Sequence, residues 1–302
     1  MSAPVDVSVI LCVRNGVEVI ENQLAALERQ VADAPFEIII VDNGSTDGTQ
    51  EVIRRYLKQS HKLALITRII DASETPGLPY ARNKGARAAR ADIFAFCDAD
   101  DRVHERWVQA IADSLKGRDA LMGGRVHPVD GQGNRLDIGI GQGLVATKYL
   151  PHVSGCNFAI TSHAFFSSGG FDEGLPRYGF DDVDFSWRVQ ESGFSIDYEP
   201  KAEVYFTVSS NSASVKKKFM LGVGRVLMAR RYPQYDNNSY RPLFCLKNVF
   251  SILVRIIRFF ARERTINRKD LSVLVASLGN LYGSLIYAGK NTMPPHQILT
   301  GE

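Results

Sequence analysis

The sequence is short of cysteine and of any long hydrophobic run. Its four cysteines (Cys12, Cys97, Cys156 and Cys245) stand far apart, with no C-x-x-C pair. That argues against a disulfide framework and against a thiolate zinc site, and suits reduced thiols in a cytoplasmic compartment. The first apolar run, Val7–Val13, stops at Arg14, and Met1–Asp6 carries no basic segment, so no secretory leader is expected. Leu271–Gly289 is uncharged, but Ser272, Ser277, Gly279, Asn280, Gly283 and Ser284 dilute it. A helix lying on a surface or at a dimer interface is expected there rather than a span. With 45% apolar residues in 302, the chain can bury the core of one large domain or two modest ones, so disorder is excluded.

Net charge is also scarce, at +3. The average hides an asymmetry. Residues 216–270 hold fourteen Lys or Arg against three acids, a net of +11, whereas residues 1–215 sum to −8. An acidic body with a basic C-terminal part points to a surface partner.

The first half alternates strand and helix patterns. Val7–Val13, Glu37–Val41, Ala64–Ile70, Ile93–Cys97 and Ala120–Val126 read as strands, most of them apolar throughout. Val17–Arg29, Thr49–Gln59, Tyr80–Ala89 and His104–Leu115 read as helices. The expected fold is α/β, a mostly parallel Rossmann-like sheet flanked by helices. His127–Gly143 reads as a loop, Gly155–Thr161 as a strand and Asp181–Glu191 as a short helix. In such sheets ligands bind beyond the carboxyl ends of the strands, so chemistry is sought there.

Two acidic groups stand out. Asp98, Asp100 and Asp101 close the Ile93–Cys97 strand. Three carboxylates in four residues repel unless neutralised, and hard oxygen ligands suit Mg²⁺ or Mn²⁺. The competing reading is capping, with Asp100 or Asp101 at the N-terminus of the helix that starts near His104. Asp181, Asp182 and Asp184 open the later helix, where a carboxylate beside a metal–phosphate centre could serve as general base. Arg82, near the start of its helix, is a candidate phosphate ligand.

In order along the chain, these motifs resemble glycosyltransferase family 2, which has the GT-A fold. Val7–Gly16 resembles the family's first strand and nucleotide loop, through Val13, Arg14 and Asn15. Val41–Thr49 resembles its second, with Asp42 at the nucleobase. Ala81-Arg82-Asn83-Lys84-Gly85 and the DXD-type Asp98-Ala99-Asp100 follow. Gly155-Cys156-Asn157-Phe158-Ala159 and Gly169–Glu173 resemble the acceptor half. Gly179–Asp184 resembles the Glu-Asp motif, with Asp181 in place of Glu. The resemblance covers about residues 5 to 210. It implies inverting transfer of a sugar from a nucleotide diphosphate to an acceptor hydroxyl. It further implies Asp98 and Ala99 on the donor, Asp100 with Asp98 on the cation, and Asp182 as base with Asp181 in reserve. Many members carry a His after the strand near Glu203. Here Val204–Val208 has none, so either the cation rests mainly on Asp100 and the diphosphate or it binds more weakly.

The catalytic part is expected over 1–213, with the nucleotide half to about 126 and the acceptor half over 127–213. A basic helical part over 214–302 follows. In it Lys247, Ser251, Arg255, Arg258 and Arg262 share one helical side, and Val249, Phe250, Leu253, Ile256, Ile257 and Phe260 occupy another. That pattern suits an interfacial helix on an anionic membrane, with packing against the body or a homodimer as the other readings, and it does not suit nucleic acid. The enzyme is therefore expected at the cytoplasmic face of a membrane, acting on a glycan or lipid-linked acceptor. A sugar-phosphate nucleotidyltransferase and an inactive nucleotide-sugar-binding protein are the competing functions. His152 and His163 are expected to be structural or exposed.

Overall fold

The computed structural model describes residues 4–138, 143–208, 215–236, 240–288 and 294–300. The first elements are β1 (Val7–Val13), α1 (Ile20–Glu28), β2 (Phe36–Asp42), α2 (Thr49–Gln59), α3 (His61–Ile66), β3 (Thr67–Asp71), α4 (Leu78–Ala88) and β4 (Ile93–Asp98). Then come β5 (Arg102–Val103), α5 (Trp107–Leu115), β6 (Ala120–Val129), β7 (Leu144–Val145), β8 (His152–Val153), β9 (Asn157–Thr161), α6 (Ser162–Ser167), α7 (Asp181–Glu191) and β10 (Ser195–Thr207). Three helices follow: α8 (Val215–Arg231), α9 (Pro242–Glu263) and α10 (Arg268–Ile286).

One eight-stranded sheet runs β3-β2-β1-β4-β9-β6-β10-β5. The β3-β2-β1-β4 portion is parallel, and β9 runs against both β4 and β6. Successive side chains in a strand point to opposite faces. Val9, Leu11, Ile38 and Ile40 accordingly pack on one side with α1, α2 and α5. Ile10, Ile39 and Val41 pack on the other with α4, α6 and α7. Covering on both faces is why these strands read as unbroken apolar runs.

Two local expectations need correction. The strand expected from Ala64 begins at Thr67, because Ser60 caps a helical turn by accepting from the Leu63 amide at 3.2 Å and Leu63 is buried. The segment read as a loop from His127 begins as strand. β6 continues to Val129, paired in register with the long β10 through Phe206 and Thr207.

The C-terminal helices are tied to the body by buried charge. Arg231 Nη1 lies 2.6 Å from Asp172 Oδ2, and the Tyr232 hydroxyl donates to Asp184 Oδ1 at 2.9 Å. The Leu299 amide also donates to the Gly169 carbonyl at 2.7 Å, and its side chain enters the core. α10 crosses α8 backbone to backbone. A Cβ on Gly279 would stand 2.0 Å from the Phe219 carbonyl oxygen, so only glycine allows the approach. The expected boundary at 213/214, and Gly289, lie outside the described residues.

Candidate active site

A cleft of about 940 Å³ opens at the carboxyl ends of β1 and β4. Val13 and Arg14 enter it from β1, Asp98 from β4, Arg82 from α4, Gly155 and Cys156 from the turn before β9, and Asp181 and Asp182 from α7. Residues assigned from motifs up to 169 positions apart thus share one cavity.

At the end of β4, Asp98, Asp100 and Asp101 each place a carboxylate oxygen within 4.8 Å of the others. Asp100 is exposed. Asp101 is fully buried: it accepts from the Thr207 amide at 2.9 Å, and its Oδ2 has no hydrogen-bond partner. Burial, with Asp98 beside it, pushes Asp101 up to about 9. Asp98 is pushed up to about 6 by burial and by Asp100 and Asp181, against the pull of Arg82. Hard oxygens, mutual repulsion and an orphaned buried oxygen fit a divalent cation.

Between the two acidic groups lies Arg82, 3% exposed. Its Nη1 donates to Asp181 Oδ2 at 2.9 Å, and its Nη2 donates to the Gly155 carbonyl at 2.6 Å and lies 3.4 Å from Asp98 Oδ1. Its guanidinium carbon sits 5.5 and 5.1 Å from the ring centroids of Phe158 and Phe171. Arg82 therefore bridges the two halves of the cleft rather than standing free.

At the start of α7, Asp182 Oδ2 accepts from the Gly155 amide at 3.1 Å, while Oδ1 accepts from the Val183 amide at 2.9 Å. Asp181 is raised by burial and by Asp182, and lowered by Arg82, for a net upward shift. The chain reaches these carboxylates through Tyr178, Gly179 and Phe180, at φ 72, 129 and 71°. Three consecutive left-handed residues persist only where the surroundings impose them. Here α8 does so: Leu221 closes over Gly179, and Gly224 abuts the Phe180 ring.

Other expected residues stand outside the cleft. Asp42 is fully buried, accepting from the Ser45 amide and hydroxyl and from Gln50. Asn15 accepts from the Thr46 amide at 2.8 Å, so the two residues shape the loop after β2. Ala99 packs against the core. Asn157 is also buried behind the site, where it accepts from the Trp107 indole at 2.8 Å and donates to the Arg125 and Ala202 carbonyls. It does not face an acceptor, because its whole amide is spent on the scaffold. His152, expected to be structural or exposed, lines the cleft, as do Arg177 and Lys217. Nothing in local spacing marks these three. His163 is exposed as expected, 2.8 Å from Asp119.

A second cluster, Asp172, Asp184 and His296, has metal-like spacing. It is already neutralised by Arg231 and by Arg188, whose Nε lies 2.8 Å from Asp184. It is an ion-pair network.

Residues 8–170 match the profile of the family described as glycosyl transferase family 2. The chain is 27% identical over 252 residues to "Glycosyltransferase AglE" of Haloferax volcanii, covering 80% of this chain and 78% of that one. Among solved structures, it resembles the mannosyltransferase PcManGT of Pyrobaculum calidifontis in complex with GDP-Man and Mn²⁺. There the TM-score is 0.61 and identity 16%, over 96% of this chain and 89% of the other. S. aureus TarS 1-349 in complex with UDP-GlcNAc gives 0.57 at 16% identity, over 93% and 91%. At that identity the two structures speak for the fold alone.

Proposed function

Because the chain belongs to glycosyl transferase family 2 and is a glycosyltransferase, we propose that it transfers a sugar from a nucleotide-diphosphate donor to an acceptor hydroxyl, with inversion and with a divalent cation. The observation that carries this reading is that Asp98 shares one cleft with the Asp181–Asp182 pair, Arg82 bridging Asp98 and Asp181, while the carboxylates of Asp100 and Asp101 cluster with that of Asp98 beside the cleft.

Val13 and Arg14 line the donor pocket, and Asp42 and Asn15 hold the loop that contributes Asn43 to it. Asp98, Asp100 and the unpartnered oxygen of Asp101 would hold Mg²⁺ or Mn²⁺. When bound, the cation neutralises charge developing on the leaving diphosphate. Asp182 takes the proton from the acceptor hydroxyl as that oxygen attacks the anomeric carbon in line, opposite the leaving group. The Gly155 amide fixes the carboxylate for this step. Asp181, engaged by Arg82, holds the neighbouring charge in place. The attacking and leaving oxygens lie on opposite faces, so one displacement inverts the centre, through a state with oxocarbenium character.

The acceptor is a glycan or a lipid-linked sugar, in polysaccharide or glycolipid assembly. The basic C-terminal part holds the enzyme at the cytoplasmic face of a membrane. Incubation with UDP-, GDP- and dTDP-sugars plus Mn²⁺ tests the chemistry. A donor should raise the melting temperature, and product NMR should show the inverted anomer. A retained anomer, or full activity after chelation, would refute the mechanism.

A further inference from the structure

α9 is the most exposed of the three C-terminal helices in its side chains. It packs on α10, and of its 22 residues only Cys245 and Val249 are buried. At 1.5 Å per residue it is about 33 Å long. Its outward side exposes Leu243, Leu246, Phe250, Leu253, Ile257 and Phe260, with Leu243 75% and Phe250 67% exposed. Recurring at three and four residues, these side chains form one stripe along the helix. Lys247, Arg258 and Arg262 line one edge of that stripe and are exposed. The sole acid on α9 is Glu263, which lies 3.2 Å from Arg262. No helix among the described residues is long and apolar enough to cross a membrane.

We propose that this outward stripe of α9 docks on an anionic lipid bilayer, with the helix lying in the interface plane. Apolar burial alone would serve a second copy of the chain equally well. The cations decide between the two. A facing α9 offers them only Glu263, which already lies beside Arg262, whereas anionic headgroups offer a charge to each. The docking surface rests on the membrane placement given above and not on the sugar-transfer chemistry, so lipid binding and turnover are read separately.

The test is cosedimentation of the full chain with vesicles of phosphatidylglycerol in phosphatidylcholine, and with phosphatidylcholine alone. Binding should require phosphatidylglycerol and weaken with salt. Lys247→Gln/Arg258→Gln/Arg262→Gln should weaken it on the order of 10- to 100-fold. Phe250→Ser/Ile257→Ser should weaken it as well. All five side chains are exposed, so circular dichroism and donor binding should not change. Wild-type protein that stays in the supernatant overturns the proposal. So does equal binding to both vesicle types with the triple variant unaffected. Light scattering that shows a dimer, dissociated by Phe250→Ser/Ile257→Ser, assigns the stripe to a second copy instead. Vesicle binding without sugar transfer would overturn the catalytic reading alone.

Discussion

Arg82 and Asp181, 99 residues apart, form a buried ion pair at 2.9 Å in the wall of the cleft. The same guanidinium reaches Asp98 and the Gly155 carbonyl, so one side chain sets the spacing between the turn after β4 and the carboxylates that open α7. Arg82→Gln strips Asp181 of its counter-ion and should cost about 3–5 kcal/mol, with loss of turnover. Arg82→Lys keeps the charge but not the fork, so stability should recover more than activity does. Denaturant melts and initial rates check both. Unchanged stability and rate in Arg82→Gln would sink the bridging role.

Asp182→Asn should lower the rate of transfer by about 10²- to 10⁴-fold, the range of a lost general base. Donor binding should survive, because the amide oxygen can still accept from Gly155. Asp181→Asn should act differently, through Arg82, by weakening the fold around the cleft. If Asp181→Asn abolishes transfer and Asp182→Asn does not, the two roles are exchanged.

The Asp100 side chain is exposed, so Asp100→Ala should leave the melting temperature of the free protein unchanged. The further rise produced by donor plus Mn²⁺ should disappear. Chelation of the wild type should abolish transfer, and Mn²⁺ or Mg²⁺ should restore it. A full Mn²⁺-dependent shift in Asp100→Ala would remove this residue from the cation site.

Acid should loosen the C-terminal helices only below about pH 4. Burial alone would raise Asp172, but the His296 side chain, the Gln297 amide and Arg231 hold it far below the usual carboxylate range. A carboxyl depressed in the folded state contributes stability that is complete above its unfolded value, about 3.9. That contribution is lost as pH falls further towards the folded value. Asp172→Asn removes it at every pH and leaves Arg231 with only Asp184, 3.6 Å away, costing about 3 kcal/mol at pH 7, the low end for a broken buried pair. The difference from wild type should shrink below about pH 4. A gap that stays constant from pH 7 to pH 3 would exclude the ion pair as its source.

Strands β1, β2 and β4 were legible in the sequence because burial on both faces leaves an unbroken apolar run. The acidic groups were legible because unbalanced charge in a short stretch needs a partner. What spacing could not supply was the far partner of each group. Asn157 sits in a motif that resembles the acceptor half, yet its amide is used up by Trp107 and two carbonyls. Arg82 read as a phosphate ligand because nothing local announces Asp181. The Asp172–Arg231 pair spans 59 residues, and no period in the chain links them. α3 escaped notice because Ala64–Ile70 is apolar enough for either state, and the cap at Ser60 settled it.

The turn at Tyr178–Phe180 has a consequence for modularity. Leu221 and Gly224 of α8 clasp it, and α8 is itself locked to α10 through Gly279. The C-terminal part is therefore no detachable tail. Grafting it from a relative, or trimming it to improve solubility, would release the clasp and let Asp181 and Asp182 drift. A working chimera would have to carry the 178–180 turn and α8 together, as a single inherited unit.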